Sequence, residues 1–121
     1  MHPRDVGRRV RQAVTTLLAR GNASPDIDLV AEGMGTSVRT LQRRLHAMGV
    51  TYTEVVQRAR RAEAQRMLRD RRTRIGDISR TLGYSDPGHF TRAFQRWTGV
   101  TPRAFRAGSA DTEKREPLRD R

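Results

Sequence analysis

Two short runs carry the side chains with the most chemistry to offer. The first, Ser37-Val38-Arg39-Thr40-Leu41-Gln42-Arg43-Arg44, sets guanidinium, hydroxyl and amide groups between spaced apolar residues. The second, from Asp86-Pro87-Gly88, continues with His89, Thr91, Arg92, Gln95 and Arg96 around Phe90 and Phe94. An Arg fork matches guanine O6 and N7, or a phosphate, with two parallel hydrogen bonds, and a Gln amide matches adenine N6 and N7. Catalytic sets are hard to find. His2, His46 and His89 have no ligand spacing, there is no Cys, and no Ser/His/Asp set, paired carboxylates or phosphate loop is visible. The expectation is a binding module and not an enzyme, with no metal and no cofactor. His46 is expected on a helix surface, and His89 facing nucleic acid or capping a helix.

These runs must be held by helices. Val6, Val10, Ala13, Val14, Leu17 and Leu18 repeat at the spacing of one helical face, with Arg8, Arg9, Arg11 and Gln12 on the other. Gly21-Asn22 stops that helix, and Asp26 is placed to cap a short one from about Ile27 to Met34. Ser37 caps a helix from about Val38 to Met48. A longer helix runs from about Thr53 to Arg71, with Val55, Val56, Ala59, Ala62, Ala64, Met67 and Leu68 as its apolar residues and Arg58, Arg60, Arg61, Arg66 and Arg69 on its wet face. A short helix, Ile75 to Leu82, ends at Gly83. Asp86-Pro87 starts the next, because Pro at the first helical position lacks an N–H that would have no partner there. That helix runs to about Thr98, and Thr101-Pro102 opens a last one through Phe105.

The pattern occurs twice. Val30-Ala31-x-x-Met34-Gly35 returns as Ile78-Ser79-x-x-Leu82-Gly83, Leu41 to Leu45 as Phe90 to Phe94, and Gly49-Val50-Thr51 as Gly99-Val100-Thr101. The offset grows by one residue at each block, so the second copy has one extra residue in its turn and another before its stop. Each copy has the plan of a helix-turn-helix: an apolar first helix, a Gly that turns the chain at positive φ, and a second helix anchored by large apolar residues. Leu41, Leu45 and Met48 are the expected anchors of the first copy, and Phe90, Phe94 and Trp97 those of the second. A connector of roughly 19–20 residues is about 30 Å long, close to the ~34 Å between successive major-groove faces. The fold class is therefore all-α, about seven helices, with two helix-turn-helix subdomains joined by a long linker helix. A monomer reading an asymmetric site of about 20 base pairs follows, with DNA bending if the second helices lie closer than a full turn.

Charge supports that partner. The chain has 121 residues and a formal net charge of +12, and Lys114 is its one lysine among 25 basic residues. Neutralising duplex phosphates is what such an excess does best. From Gly108 the segment GSADTEKREPLRDR balances four basic against four acidic residues, so residues 1–107 carry the excess. The segment has almost nothing to bury and is expected to be a disordered tail, 108–121. No apolar run is long enough for a membrane span, and Met1-His2-Pro3-Arg4-Asp5 lacks a signal-peptide core. No membrane partner is expected, and the cytoplasm, in association with the nucleoid, is the expected location. A basic module for RNA or an acidic protein is the main rival, but aromatics are only 5% of the chain and most fall on expected core positions, whereas specific RNA readers tend to offer aromatic stacking platforms.

A longer ordered signature now stands out: Leu41-Gln42-Arg43-Arg44-Leu45, then Arg60-x-x-x-Ala64-x-x-Met67-Leu68, then Ile75-x-Asp77-Ile78-Ser79-x-x-Leu82-Gly83-Tyr84-x-Asp86. It closes with Phe90-x-Arg92-Ala93-Phe94 and Gly99-Val100-Thr101-Pro102-x-x-Phe105-Arg106. Over about residues 5–107 the chain resembles the C-terminal DNA-binding domain of AraC/XylS transcription regulators (homeodomain-like, AraC-type). The resemblance implies seven helices, double-stranded promoter DNA as partner, and transcriptional control, usually activation with contact to RNA polymerase. It puts base-facing positions at Arg39, Gln42, Arg43, Pro87, Gly88, His89 and Arg92. Ser37, Thr40, Arg44, Thr91, Arg96 and Arg103 are the expected backbone contacts. By this reading residues 1–107 form the DNA-binding domain, with helix-turn-helix units at about 27–48 and 75–98 and a linker helix at about 53–71. Family members usually carry an effector-binding or dimerisation domain before this one; the chain is expected to be either an excised domain or a stand-alone short member, a monomer as this domain and a dimer if a longer chain supplies an N-terminal domain. The sequence departs from the family pattern at three places: Gly33 inside a helix, at a cost of about 1 kcal/mol, Ser79 where a small Ala is usual, and Pro87-Gly88, which offers no side chain able to hydrogen-bond a base.

Overall fold

The computed structural model describes residues 3–108. Seven helices account for most of them: α1 (Pro3–Ala19), α2 (Ile27–Gly33), α3 (Val38–Ala47), α4 (Tyr52–Arg69), α5 (Ile75–Thr81) and α6 (Pro87–Thr98), followed by α7 (102–108). No strand occurs among the described residues. The chain divides into two compact units between Glu63 and Ala64, within α4.

The first unit has an aliphatic core. Val6, Val10, Val14 and Leu18 place one branched side chain on each successive turn of α1, and all four are buried against Val30, Ala31, Leu41 and Leu45 of α2 and α3. Val55, Val56 and Ala59 bury the first half of α4. The second unit is aromatic instead. Phe90 and Phe94 are fully buried, with ring centroids 5.8 Å apart, and Phe94 meets Phe105 edge-on at 5.5 Å. Tyr84 packs 5.6 Å from Phe90, and Trp97 lies 6.5 Å from Phe94. These tilted geometries suit ring quadrupoles.

Caps set the boundaries. Asp26 accepts from the Asp28 N–H at 3.0 Å, Ser37 from that of Thr40 at 3.1 Å, and Asp86 from that of His89 at 2.8 Å. Thr51 and Glu54 cap each other reciprocally at the start of α4, at 2.8 and 3.1 Å. This box starts α4 at Tyr52, one residue before the expected Thr53. The helix ends at Arg69 and not Arg71, because Asp70 turns the chain and binds the Arg72 N–H at 3.0 Å. The last helix extends past Phe105 to residue 108, so Gly108 is helical, and the rest of the expected tail lies outside the described residues.

Several arginines and apolar residues have roles other than those expected. Arg60, assigned to the wet face of α4, is half-buried and donates to the Ala23 carbonyl at 2.8 Å, pinning the α1–α2 connection. Arg106 donates to the carbonyls of Leu68, Asp70 and Thr73 at 2.8, 3.1 and 2.6 Å. It thereby satisfies acceptors around the C-terminal end of α4, where a cation also meets the negative end of the helix dipole. Arg69 lies over the Phe105 ring, 5.6 Å from its centroid. Met48, expected as an anchor, is 38% exposed because α3 ends one residue before it; Trp97 is half-buried, and Ala62 is exposed.

Gly33 is the last residue of α2 and not an interior one, and a Cβ built on it meets nothing within 4 Å. Its φ is in the ordinary range, so neither backbone nor packing requires glycine. Gly33→Ala is expected to stabilise the domain by about 0.5 kcal/mol, raising the thermal midpoint by roughly 2–4 °C. A lower midpoint would show a constraint on this residue beyond helix propensity.

Candidate nucleic-acid interface

The two copies agree at the level of single hydrogen bonds. In the first turn the Gly35 N–H binds the Glu32 carbonyl at 3.0 Å and the Thr36 N–H binds that of Ala31 at 3.0 Å. In the second, Gly83 binds Arg80 and Tyr84 binds Ser79, both at 3.0 Å. Gly35 and Gly83 stand at φ +69° and +90°, a region that a side chain makes costly, and so each first helix can turn sharply into the next. The second turn has one more residue before its cap, Asp86 against Ser37, as the offsets require. Ser79 explains how that longer turn is held. Its side chain is fully buried, and its hydroxyl donates to the Asp86 carbonyl at 3.1 Å, fastening the residue that caps α6. Ala31, its counterpart, has no such group to offer.

Each second helix is then split into a buried and a wet side. In α3, Leu41 and Leu45 are fully buried, while Arg39, Gln42, Arg43 and Arg44 are exposed. Gln42, Arg43 and His46 line one wall of an open cleft of about 400 Å³, completed by Val50, Thr51, Tyr52 and Thr53. Exposed Ser37 and half-buried Thr40 sit at the opening of α3, where the Ser37 hydroxyl donates to Thr40 Oγ1 at 2.9 Å. The cleft edge is stiffened by Tyr52, whose hydroxyl donates to the Pro25 carbonyl at 2.9 Å. Burial, and then the charge of Asp26, push the Tyr52 pKa up to about 12.

In α6, Phe90 and Phe94 are buried, and Pro87, Gly88, His89, Arg92 and Arg96 are exposed; Thr91 is half-buried. The His89 ring lies 6.2 Å from that of Tyr84, with Nδ1 3.5 Å from Ser85 Oγ. Arg92 lies back along the helix toward its start: a Cβ on Gly88 would come within 3.4 Å of Arg92 Nη1 and 3.1 Å of Asp86 Oδ1. The Arg92 guanidinium and the Asp86 carboxylate thus both lie beside Gly88 in the first turn. Arg103 is exposed on α7. Sequence reasoning placed the exposed set of each helix. It missed the anchoring parts of Ser79, Tyr52, Arg60 and Arg106, which depend on partners 7 to 38 positions away.

Two copies of a short helix, a tight turn and an anchored second helix, each with a polar outer side, define a double helix-turn-helix protein. Known proteins agree. A family model described as a helix-turn-helix domain matches residues 30–108. The ornithine utilization regulator of Pseudomonas aeruginosa is 37% identical over 90 residues, which is 74% of this chain and 26% of that protein. The transcriptional regulator CdpR from Pseudomonas aeruginosa is 38% identical in sequence, with a TM-score of 0.65 over 81% of this chain and 31% of its own. The DNA-binding domain of AdpA, solved in complex with a target DNA, shares the fold at a TM-score of 0.64, with 24% identity over 90% of this chain and 96% of that one. The chain belongs to the AraC/XylS family and corresponds to its DNA-binding domain. It spans 25–29% of the length of curated relatives it matches.

Two outcomes test this geometry. Ser79→Ala is expected to destabilise the domain by ~1 kcal/mol in urea unfolding, through loss of the bond to Asp86; unchanged stability would show that the hydroxyl does not hold the turn. For Tyr52, the folded pKa exceeds the ordinary 10.0, so folding keeps a proton that the unfolded chain gives up. The stabilisation is complete below pH 10 and declines as the pH rises from 10 toward 12. In Tyr84→Phe protein, tyrosinate absorbance is expected to appear only near the upper limit. A transition near pH 10 would contradict the buried setting of Tyr52.

Proposed function

We propose that this chain binds double-stranded promoter DNA sequence-specifically, with α3 and α6 as recognition helices in two adjacent major-groove segments of one duplex. The observation that carries this reading is the split of both helices. A buried pair four residues apart, Leu41 and Leu45 or Phe90 and Phe94, fixes each helix and leaves its polar side open. A major groove admits one helix, whose outer side chains then meet base edges. Arg39, Gln42 and Arg43 of α3, and Pro87, Gly88, His89 and Arg92 of α6, are assigned to the bases. Ser37, Thr40, Arg44, Thr91, Arg96 and Arg103 are assigned to the sugar–phosphate backbone. That AdpA's domain of the same fold was solved on its target DNA supports the choice of a duplex. RNA is disfavoured because Phe90 and Phe94 are buried in the core and are unavailable for base stacking.

Within this assignment α3 sets most of the specificity, since it brings two guanidiniums and an amide, whereas the first turn of α6 brings Pro87-Gly88. The second unit adds affinity and orientation. The domain extends through residue 108, the end of its last helix, with recognition units at about 27–48 and 75–98, and acts in the cytoplasm on the nucleoid. Transcriptional activation through contact with RNA polymerase is the regulatory outcome that the family resemblance implies.

Point variants test the assignment. Arg43→Ala is expected to cost ~1–3 kcal/mol on the preferred duplex and to relax one base position, while Arg96→Ala weakens all duplexes alike. Titrations against preferred and random duplexes at matched salt distinguish the two. Equal losses on both for Arg43→Ala would remove that residue from base reading, and loss of duplex binding to a modest excess of random RNA would overturn the reading itself.

A further inference from the structure

A second concave surface lies on the first unit, away from the base-assigned residues of α3. It has a volume of about 190 Å³ and is lined by Gly7, Leu45, Met48, Val50 and Val55, with Arg8, Arg11 and Arg58 around it. At about 100° per residue, Met48 stands about 40° around α3 from Arg44, which is assigned to the backbone, and roughly 120–180° from Arg39, Gln42, Arg43 and His46. A helix seated in a groove by the latter set turns Met48 away from the bases, so this surface is not needed for reading them.

Two features mark it as built for contact. Met48 leaves an apolar side chain 38% exposed at its edge. A Cβ on Gly7 would come within 2.5 Å of Met48 Cε, so the glycine inside α1 is what lets the thioether methyl lie against that helix. A Met in this position is apolar, polarisable and able to adjust to an incoming side chain. The charges are as informative. Arg8, Arg11 and Arg58 are exposed, and Arg8 has only a loose 3.9 Å ion pair with Asp5. Three guanidiniums around an apolar floor complement carboxylates around an apolar anchor.

We infer that this surface docks an acidic amphipathic helix of a partner protein, one bulky apolar side chain entering beside Met48 and flanking Asp or Glu residues pairing with Arg8, Arg11 and Arg58. The docking itself does not depend on base reading by α3. Only its compatibility with bound DNA rests on that reading.

The test uses the 121-residue chain and a fluorescein-labelled helical peptide with a single Leu anchor flanked by Glu on one side, read by anisotropy. Saturable binding is expected, lost when the Glu residues are replaced by Lys. Arg8→Glu/Arg11→Glu is expected to weaken it at least ~10-fold, because charge reversal turns attraction into repulsion. Arg72→Glu, an exposed reversal in the other unit, is expected to leave it unchanged. A pre-formed complex with duplex DNA is expected to bind the peptide equally well. Absence of saturable binding, or equal weakening by Arg72→Glu, would overturn the inference. So would displacement of the peptide by duplex, which would mean that it occupies the nucleic-acid surface as a polyanion. If the chain binds the peptide but no duplex, docking stands and the DNA reading fails.

Discussion

A helix that is to enter a groove must be held from behind, and everything else here follows from how that hold is made. In α3 it is made by Leu41 and Leu45, and in α6 by Phe90 and Phe94, in each case one turn apart and fully buried. Removing such a side chain leaves a cavity that costs several kcal/mol, about 2–5 for Leu and 3–5 for Phe. Because one side of the helix is committed in this way, only the remaining side chains can face a ligand. In both helices those include Arg, Gln, Thr and His, joined in the first turn of α6 by Pro87 and Gly88. The anchoring pair thus fixes the orientation of the polar set as well as the stability of the unit.

The two units reach the same arrangement by different means. The first fills its interior with Val and Leu from α1, while the second has no counterpart of that long helix and uses five aromatic residues instead. Aromatic rings bury more area per residue, which suits the unit whose longest helix is the 12-residue α6 and not the 17-residue α1. The extra residue in the second turn is absorbed by the Ser79 hydroxyl on the Asp86 carbonyl. Basic residues are divided in a similar way. Arg60 and Arg106 are structural ties to backbone carbonyls, so the large net charge overstates how many guanidiniums are available to a polyanion.

Much of this was legible in the residue order. The periodicity of Val6, Val10, Val14 and Leu18, the caps Asp26, Ser37 and Asp86, and the repeat with its growing offset all act over short range, and the structure reproduces each. What could not be read depends on distant partners. Arg60 looks like any exposed arginine on a polar stripe until Ala23 is found beside it, and Ser79 looks like a neutral change until Asp86 is within reach. Met48 fits the apolar spacing of α3, but the helix stops before it and leaves it at a surface. The base-facing set was read from side-chain chemistry and family likeness. Its exposure is a structural fact, and its contacts are a proposal.

Both polar helix sides are proposed to read one duplex. Selection of bound duplexes from a random pool tests it most directly, since it reports sequence preference and site length together. The account predicts an enriched asymmetric site with two conserved segments about one helical turn, ~10 base pairs, apart, the segment read by α3 being the more strongly specified. Enrichment of a single short segment, or no enrichment over the starting pool, would contradict it.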